Sequence, residues 1–218
     1  MGFHAARCDS SLFVQFTKTS VTYILVYVDD IIITESSPNL IQQFISKLNN
    51  LFLLKDLGPL HFFLGIEVHR SKDGVVLLSQ SKYIHDILTR VHMSNAKPIK
   101  TPLAPGLKLQ IDSTEVFEDP TLYRSILGAL QYATIPLPDV AFAINKLCQF
   151  MHHPLISHWK AVKRVHRYLN GTLDQGLVFH PSPDLNITGL CDSDWACDNS
   201  DIRSTSGYSI YLGKNLVS

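Results

Sequence analysis

A chain of 218 residues with 45% hydrophobic and 17% charged side chains can bury a sizeable core, which excludes disorder throughout. Nineteen basic residues balance nineteen acidic ones, so bulk charge argues against tight, unspecific nucleic-acid binding. Four scattered cysteines exclude a disulfide framework, and neither a secretory leader nor an apolar run near the ~20 residues of a membrane span is seen, so an intracellular protein with no membrane partner is expected.

Strands are predicted over Ser11–Phe16, Thr22–Val28 and Ile31–Thr34. The last two enclose Asp29 and Asp30, adjacent carboxylates between apolar runs with the composition of buried strand, which places them at a hairpin tip. Two readings are open. Desolvated carboxylates repel, and a hard divalent cation such as Mg²⁺ offsets that repulsion and can serve phosphoryl transfer. Alternatively, Asp is simply favoured in a two-residue turn.

Ser36-Ser37-Pro38 opens a predicted helix, with Pro38 in its first turn and Leu40, Ile41, Phe44, Ile45, Leu48 and Leu51 on one buried face. Gly58-Pro59 ends that unit. His61–His69 and Val75–Leu78 then flank the turn Lys72-Asp73-Gly74. Ser79 or Ser81 is expected to cap a helix whose stripe is Tyr83, Ile84, Ile87, Leu88 and Val91. From 96 to 120, four prolines and Gly106 read as an extended connector, either a boundary or a strap across a surface. Helices follow over 121–133, 139–151 and 157–170, the first two separated by Pro136 and Pro138, the third stopped by Gly171. Strand character returns from Leu177, including 185–190 and 208–212.

On the third of these helices Lys160, Lys163, Arg164 and Arg167 share one face, and residues 139–171 hold five Lys or Arg against one acid. Such a row suits phosphate contacts; a solvated helix face is the competing reading. Cys148, His152, His153 and His158 match no usual zinc spacing, and Pro154 interrupts them, so no metal is expected there.

Tyr27-Val28-Asp29-Asp30 resembles the Tyr-x-Asp-Asp box of reverse transcriptases. Further blocks resemble the copia-type retrotransposon Pol polyprotein in the same order: Lys55–Leu60, Phe63–Val68, Leu78–Ile84, Tyr123–Tyr132, Ala161–Arg164 with Arg167–Leu169, and Arg203–Tyr208. The resemblance runs from about Gly2 to Ser218.

The resemblance implies an α+β fold: a partial palm over 1–78, a thumb or connection over 79–176 with its proline-rich strap at 96–120, and the start of an RNase H-like sheet over 177–218. It makes Asp29 a metal ligand with Asp30 its weaker neighbour, Mg²⁺ the cofactor, and template-primer and deoxynucleotides the partners. Tyr27 and Val28 would floor the primer end, and Leu64, Gly65 and Ile66 would belong to a primer-grip hairpin. Asp192 matches the first metal carboxylate of RNase H, with Asp194 two residues on. A third polymerase carboxylate is expected from an earlier palm strand, yet the one upstream acid, Asp9, reads as a turn residue. The isolated chain is therefore expected to be inactive, as a polymerase fragment or as a non-catalytic remnant that is inert or binds nucleic acid weakly. Leu137 also departs from the family's Arg before Pro138-Asp139, which would loosen that turn. Incomplete sheets leave exposed edges, from which poor solubility or oligomerisation is expected.

Overall fold

The computed structural model describes residues 2–52, 54–107, 109, 115–194 and 204–218. Its helices and antiparallel sheets make the class α+β. The chain divides into two compact units, Met1–Phe63 and Leu64–Ser218.

In the first unit β1 (His4–Ala5), β2 (Leu12–Phe16), β3 (Val21–Tyr27) and β4 (Asp30–Thr34) form an antiparallel sheet in that order. The helix α1 (Pro38–Phe52) and the short strand β5 (Phe62–Phe63) follow. Pro38 takes the first helical position, where a missing N–H leaves no bond unmade. Burial is sparse: Thr22 and Ile24 are enclosed, but Tyr23, Val26, Tyr27 and Ile31 are exposed. The predicted buried face of α1 is only half-covered, and Leu51 is 63% exposed. So few residues, one sheet and one helix, cannot cover both faces of that sheet.

In the second unit β6 (Ile66–Arg70) and β7 (Val76–Ser79) form a hairpin, and β8 (Leu177–Phe179) pairs with β7. A Cβ at Gly176 would lie 2.0 Å from the Leu78 carbonyl oxygen, so glycine alone permits β8 to come that close. The strand expected over His61–His69 is interrupted at Leu64 and Gly65, whose φ values of 49° and 78° belong to a tight reversal.

Four helices supply the core: α2 (Ser81–Arg90), α3 (Pro120–Ala133), α4 (Ala141–Cys148) and α5 (Ile156–Asn170). Leu88, Leu127, Leu130, Ile144, Leu147 and Val162 are fully buried there, each worth about 1.5–3 kcal/mol in water-free burial. Asp119 caps α3 by accepting from Leu122 N–H at 2.8 Å. The helix predicted over 139–151 begins instead as a 3₁₀ turn at Pro138–Val140 and ends at Cys148. Leu137 is buried in the common core, and the turn is held by the Tyr168 hydroxyl, which donates to Asp139 Oδ2. That bond, with some burial, pushes the Tyr168 phenol up to about 12. The turn is thus fastened without the arginine.

Neither Ser79 nor Ser81 caps α2. Gln80 holds the N-cap position without a side-chain bond, and Glu67 on β6 accepts from Lys82 N–H at 2.9 Å. Ser81 Oγ donates instead to Leu173 O at 2.7 Å. A last sheet runs β11–β10–β9, with β9 (Ile187–Asp194) paired over its full length to β10 (Thr205–Leu212), and β11 (Asn215–Leu216) beyond. The strand expected from Leu185 starts two residues later and reaches Asp194, and every residue of β9 is exposed. No described helix is long and apolar enough to cross a membrane.

His166 lies fully buried on α5. Its Nδ1–H donates to Val162 O at 2.8 Å, Nε2 has no partner among the described residues, and burial holds its pKa below the ordinary 6.5. Below about pH 6.5 the unfolded chain binds a proton that the folded chain refuses, so stability falls as pH falls. Chemical-denaturation midpoints at pH 7.5 and 5.5 should therefore drop in the wild-type chain, and the drop should be smaller in His166→Leu.

Candidate metal and nucleic-acid site

Strands β3 and β4 pair with Val26 opposite Ile31 and Tyr27 opposite Asp30, which leaves Val28 and Asp29 as a two-residue loop. The tip is thus Val28–Asp29 rather than Asp29–Asp30, and Asp30 opens β4 on the same face as Tyr27. Val28 has φ 50°, at the first central position, where such hairpin turns favour glycine. A β-branched residue in the left-handed region costs about 1–3 kcal/mol. Val28 is 83% exposed, so packing does not offset this.

Both carboxylates are exposed, not desolvated as the flanking runs implied. Water therefore screens their repulsion, and no cation is demanded by burial. Their oxygens nevertheless remain available: among the described residues neither accepts a hydrogen bond nor forms an ion pair. Tyr27 meets Phe63 edge-on at 6.4 Å, which steadies the strand face beside Asp30. An adjoining cleft of about 480 Å³ is lined by both aspartates with Ile32, Ile45, Leu48 and Leu60. No third His, Cys, Asp or Glu completes a metal-ligating group among the described residues.

The remaining sequence candidates lie in the second unit. Leu64, Gly65 and Ile66 form the tight reversal, and the Tyr132 hydroxyl on α3 donates to Leu64 O. Tyr83 packs edge-on against Tyr132 at 5.3 Å. Tyr132 thus anchors that turn, a role sequence reasoning missed; its one local signal is an aromatic at the end of a helical stripe.

On α5, Lys160 and Lys163 are exposed, whereas Arg164 and Arg167 are half-buried and donate to the connector. Lys163 Nζ stands 5.9 Å over the Trp159 ring, which itself stacks on Phe117 at 4.7 Å. Asp192 sits exposed on β9 opposite Gly207, accepting from Ser193 N–H at 2.9 Å. Asp194 follows two residues on, at the end of the same strand.

Among the described residues Cys148, His152, His153 and His158 do not gather into one group. Burial pushes the Cys148 thiol up, His152 and His153 are exposed, and His158 Nδ1 accepts from Leu155 N–H at 3.1 Å at the start of α5. Asp9 accepts from Ser11 N–H at 2.8 Å, the bond of a turn residue.

Residues 1–105 match the family model described as reverse transcriptase (RNA-dependent DNA polymerase). The whole chain is 44% identical to a retrovirus-related Pol polyprotein from transposon RE1 of Arabidopsis thaliana, covering 15% of its length. Over 90% of the chain it is 38% identical to the Pol polyprotein from transposon TNT 1-94 of Nicotiana tabacum, again 15% of that protein. It is also 45% identical to an uncharacterized mitochondrial protein of Arabidopsis thaliana, over 90% of this chain and 81% of the relative. The chain thus spans about a seventh of the Pol polyproteins it matches. No solved structure matches it.

Replacing Val28 by glycine should release the turn's strain of about 1–3 kcal/mol against a glycine cost of about 0.5–1 kcal/mol. The expected net gain is about 1 kcal/mol, read as roughly fivefold slower hydrogen exchange of the β3–β4 amides in the full chain. Faster exchange in Val28→Gly would show that the valine is not strained.

Proposed function

The chain belongs to the reverse transcriptase family of copia-type retrotransposon Pol polyproteins, and from that premise we propose that its β3–β4 hairpin supplies part of a two-metal nucleotidyl-transfer site. The observation that carries this reading is the adjacent pair Asp29 and Asp30, held on a tight hairpin with oxygens that have no partner among the described residues. Asp29, at the loop, is the principal ligand, and Asp30 the neighbouring one. A bound Mg²⁺ would supply Lewis-acid stabilisation of the phosphoryl oxygens and activation of a primer hydroxyl. Tyr27 and Val28, in the first unit, offer a surface to a primer end; taken by itself, the turn at Leu64, Gly65 and Ile66 in the second unit offers backbone to a primer phosphate.

Two carboxylates are too few for such a site, so the working enzyme includes further donors from elsewhere in the polyprotein. In this reading residues 1–78 act as palm, 79–176 as thumb or connection, and 177–218 as the beginning of an RNase H-like sheet with Asp192 as its first acid. Template-primer and deoxynucleotides are the partners. A second reading, a non-catalytic remnant that is inert or binds nucleic acid weakly, is favoured by the lack of a third ligand among the described residues.

Primer extension separates the two. The purified chain alone should extend no primer, whereas the chain supplemented with the preceding Pol segment of transposon RE1 should do so with Mg²⁺. Outer partners in metal sites typically cost about 10–100-fold, so losing a direct ligand through Asp29→Asn should cost more than about 100-fold, and Asp30→Asn less. Absence of extension from a folded, supplemented chain would favour the remnant.

A further inference from the structure

Six cations gather where the connector meets α5, and among the described residues no carboxylate pairs with them. Asn170 Nδ2 donates to Ala96 O at 2.8 Å, Arg167 Nε to Lys97 O at 2.8 Å, and Arg164 Nη2 to Thr101 Oγ1 at 2.9 Å. Ile99 N–H donates to Arg167 O at 3.4 Å. Residues 96–101 therefore run antiparallel to the C-terminal half of α5. Both arginines are fixed by neutral acceptors, a carbonyl and a hydroxyl. A carboxylate in either place would cancel the charge; these acceptors order the side chain and leave the charge whole.

Lys97 and Lys100 are exposed on this fastened stretch, and Lys160 and Lys163 are exposed on the helix. None of the six has an ion-pair partner among the described residues, where the ion pair found joins His69 to Glu67 in the β6–β7 hairpin. The chain as a whole has no net charge, so this excess is one of arrangement. From Lys160 to Arg167 the helix rises about 10 Å, the span of about three phosphates along one strand of a duplex.

We propose that Lys97 and Lys100 join the α5 row in one composite surface for the phosphate backbone of a nucleic acid. Arg164 and Arg167 act as positioning residues that hold the connector's lysines in register with Lys160 and Lys163. The inference rests on the reading of this chain as a nucleic-acid-handling segment and goes beyond it: half of the exposed contacts come from a connector that has no helical periodicity to advertise them.

The test is the salt dependence of binding between the full chain and a 20-base-pair duplex of arbitrary sequence. Each phosphate contact contributes about 0.9 to the slope of log affinity against log salt. Lys97→Ala with Lys100→Ala should lower that slope by about 1.8, as should Lys160→Ala with Lys163→Ala, while Lys214→Ala leaves it unchanged. Thr101→Val removes no charge and should still weaken binding, because it frees Arg164 from the connector. A wild-type slope retained in the Lys97/Lys100 variant but lost in the Lys160/Lys163 variant would overturn the composite surface and leave the helix alone. Failure of the wild-type chain to bind at 50 mM salt would overturn the nucleic-acid reading itself. Thermal melts of each variant confirm that these exposed substitutions leave the fold intact.

Discussion

Burial of the apolar stripe of α5 is the constraint on which the second unit depends. Ala161, Val162, Val165 and Leu169 point into the core shared with α2, α3 and α4, and that fixes the rotation of the helix about its axis. With the rotation set, Arg164 and Arg167 must leave the core on the flank where the connector passes, and Trp159 must meet Phe117. His158 and His166 fall on the buried side, where the first pairs with backbone and the second is kept neutral. One hydrophobic stripe thus decides the place of every polar group on the helix.

The two units solve the burial problem unequally. The second encloses its stripes in a four-helix core, whereas the first leaves strand aromatics and half of a helix face in contact with water. Apolar surface of that extent is usual where a neighbouring element covers it. This agrees with a segment spanning a small share of the polyproteins it resembles. The hairpin with its acid pair belongs to the less buried unit.

Periodic and local features were legible in the sequence. The helices around Phe44 and Ile84 announced themselves by spacing, the hairpin around Gly74 by its turn residues, and the family by ordered blocks. What could not be read was set by partners distant in sequence. Glu67 caps a helix from a strand, Tyr132 holds the Leu64 carbonyl, and Tyr168 takes the role assigned to a missing arginine. The solvation of Asp29 and Asp30 is hidden for the same reason: β-rich flanks say that a strand forms, but not that anything covers it. Val28 defeated sequence reasoning differently, since its residue type opposes the conformation that the register imposes.

The fastening of the connector carries a kinetic consequence. Arg167 reaches Lys97 across 70 residues of chain. During synthesis at about 5–20 residues per second, the connector therefore waits roughly 4–14 s after it is made before its anchor exists. The proline-rich stretch must survive that interval without α5 to lie against, and its prolines, which favour extended backbone with or without a partner, suit it to wait.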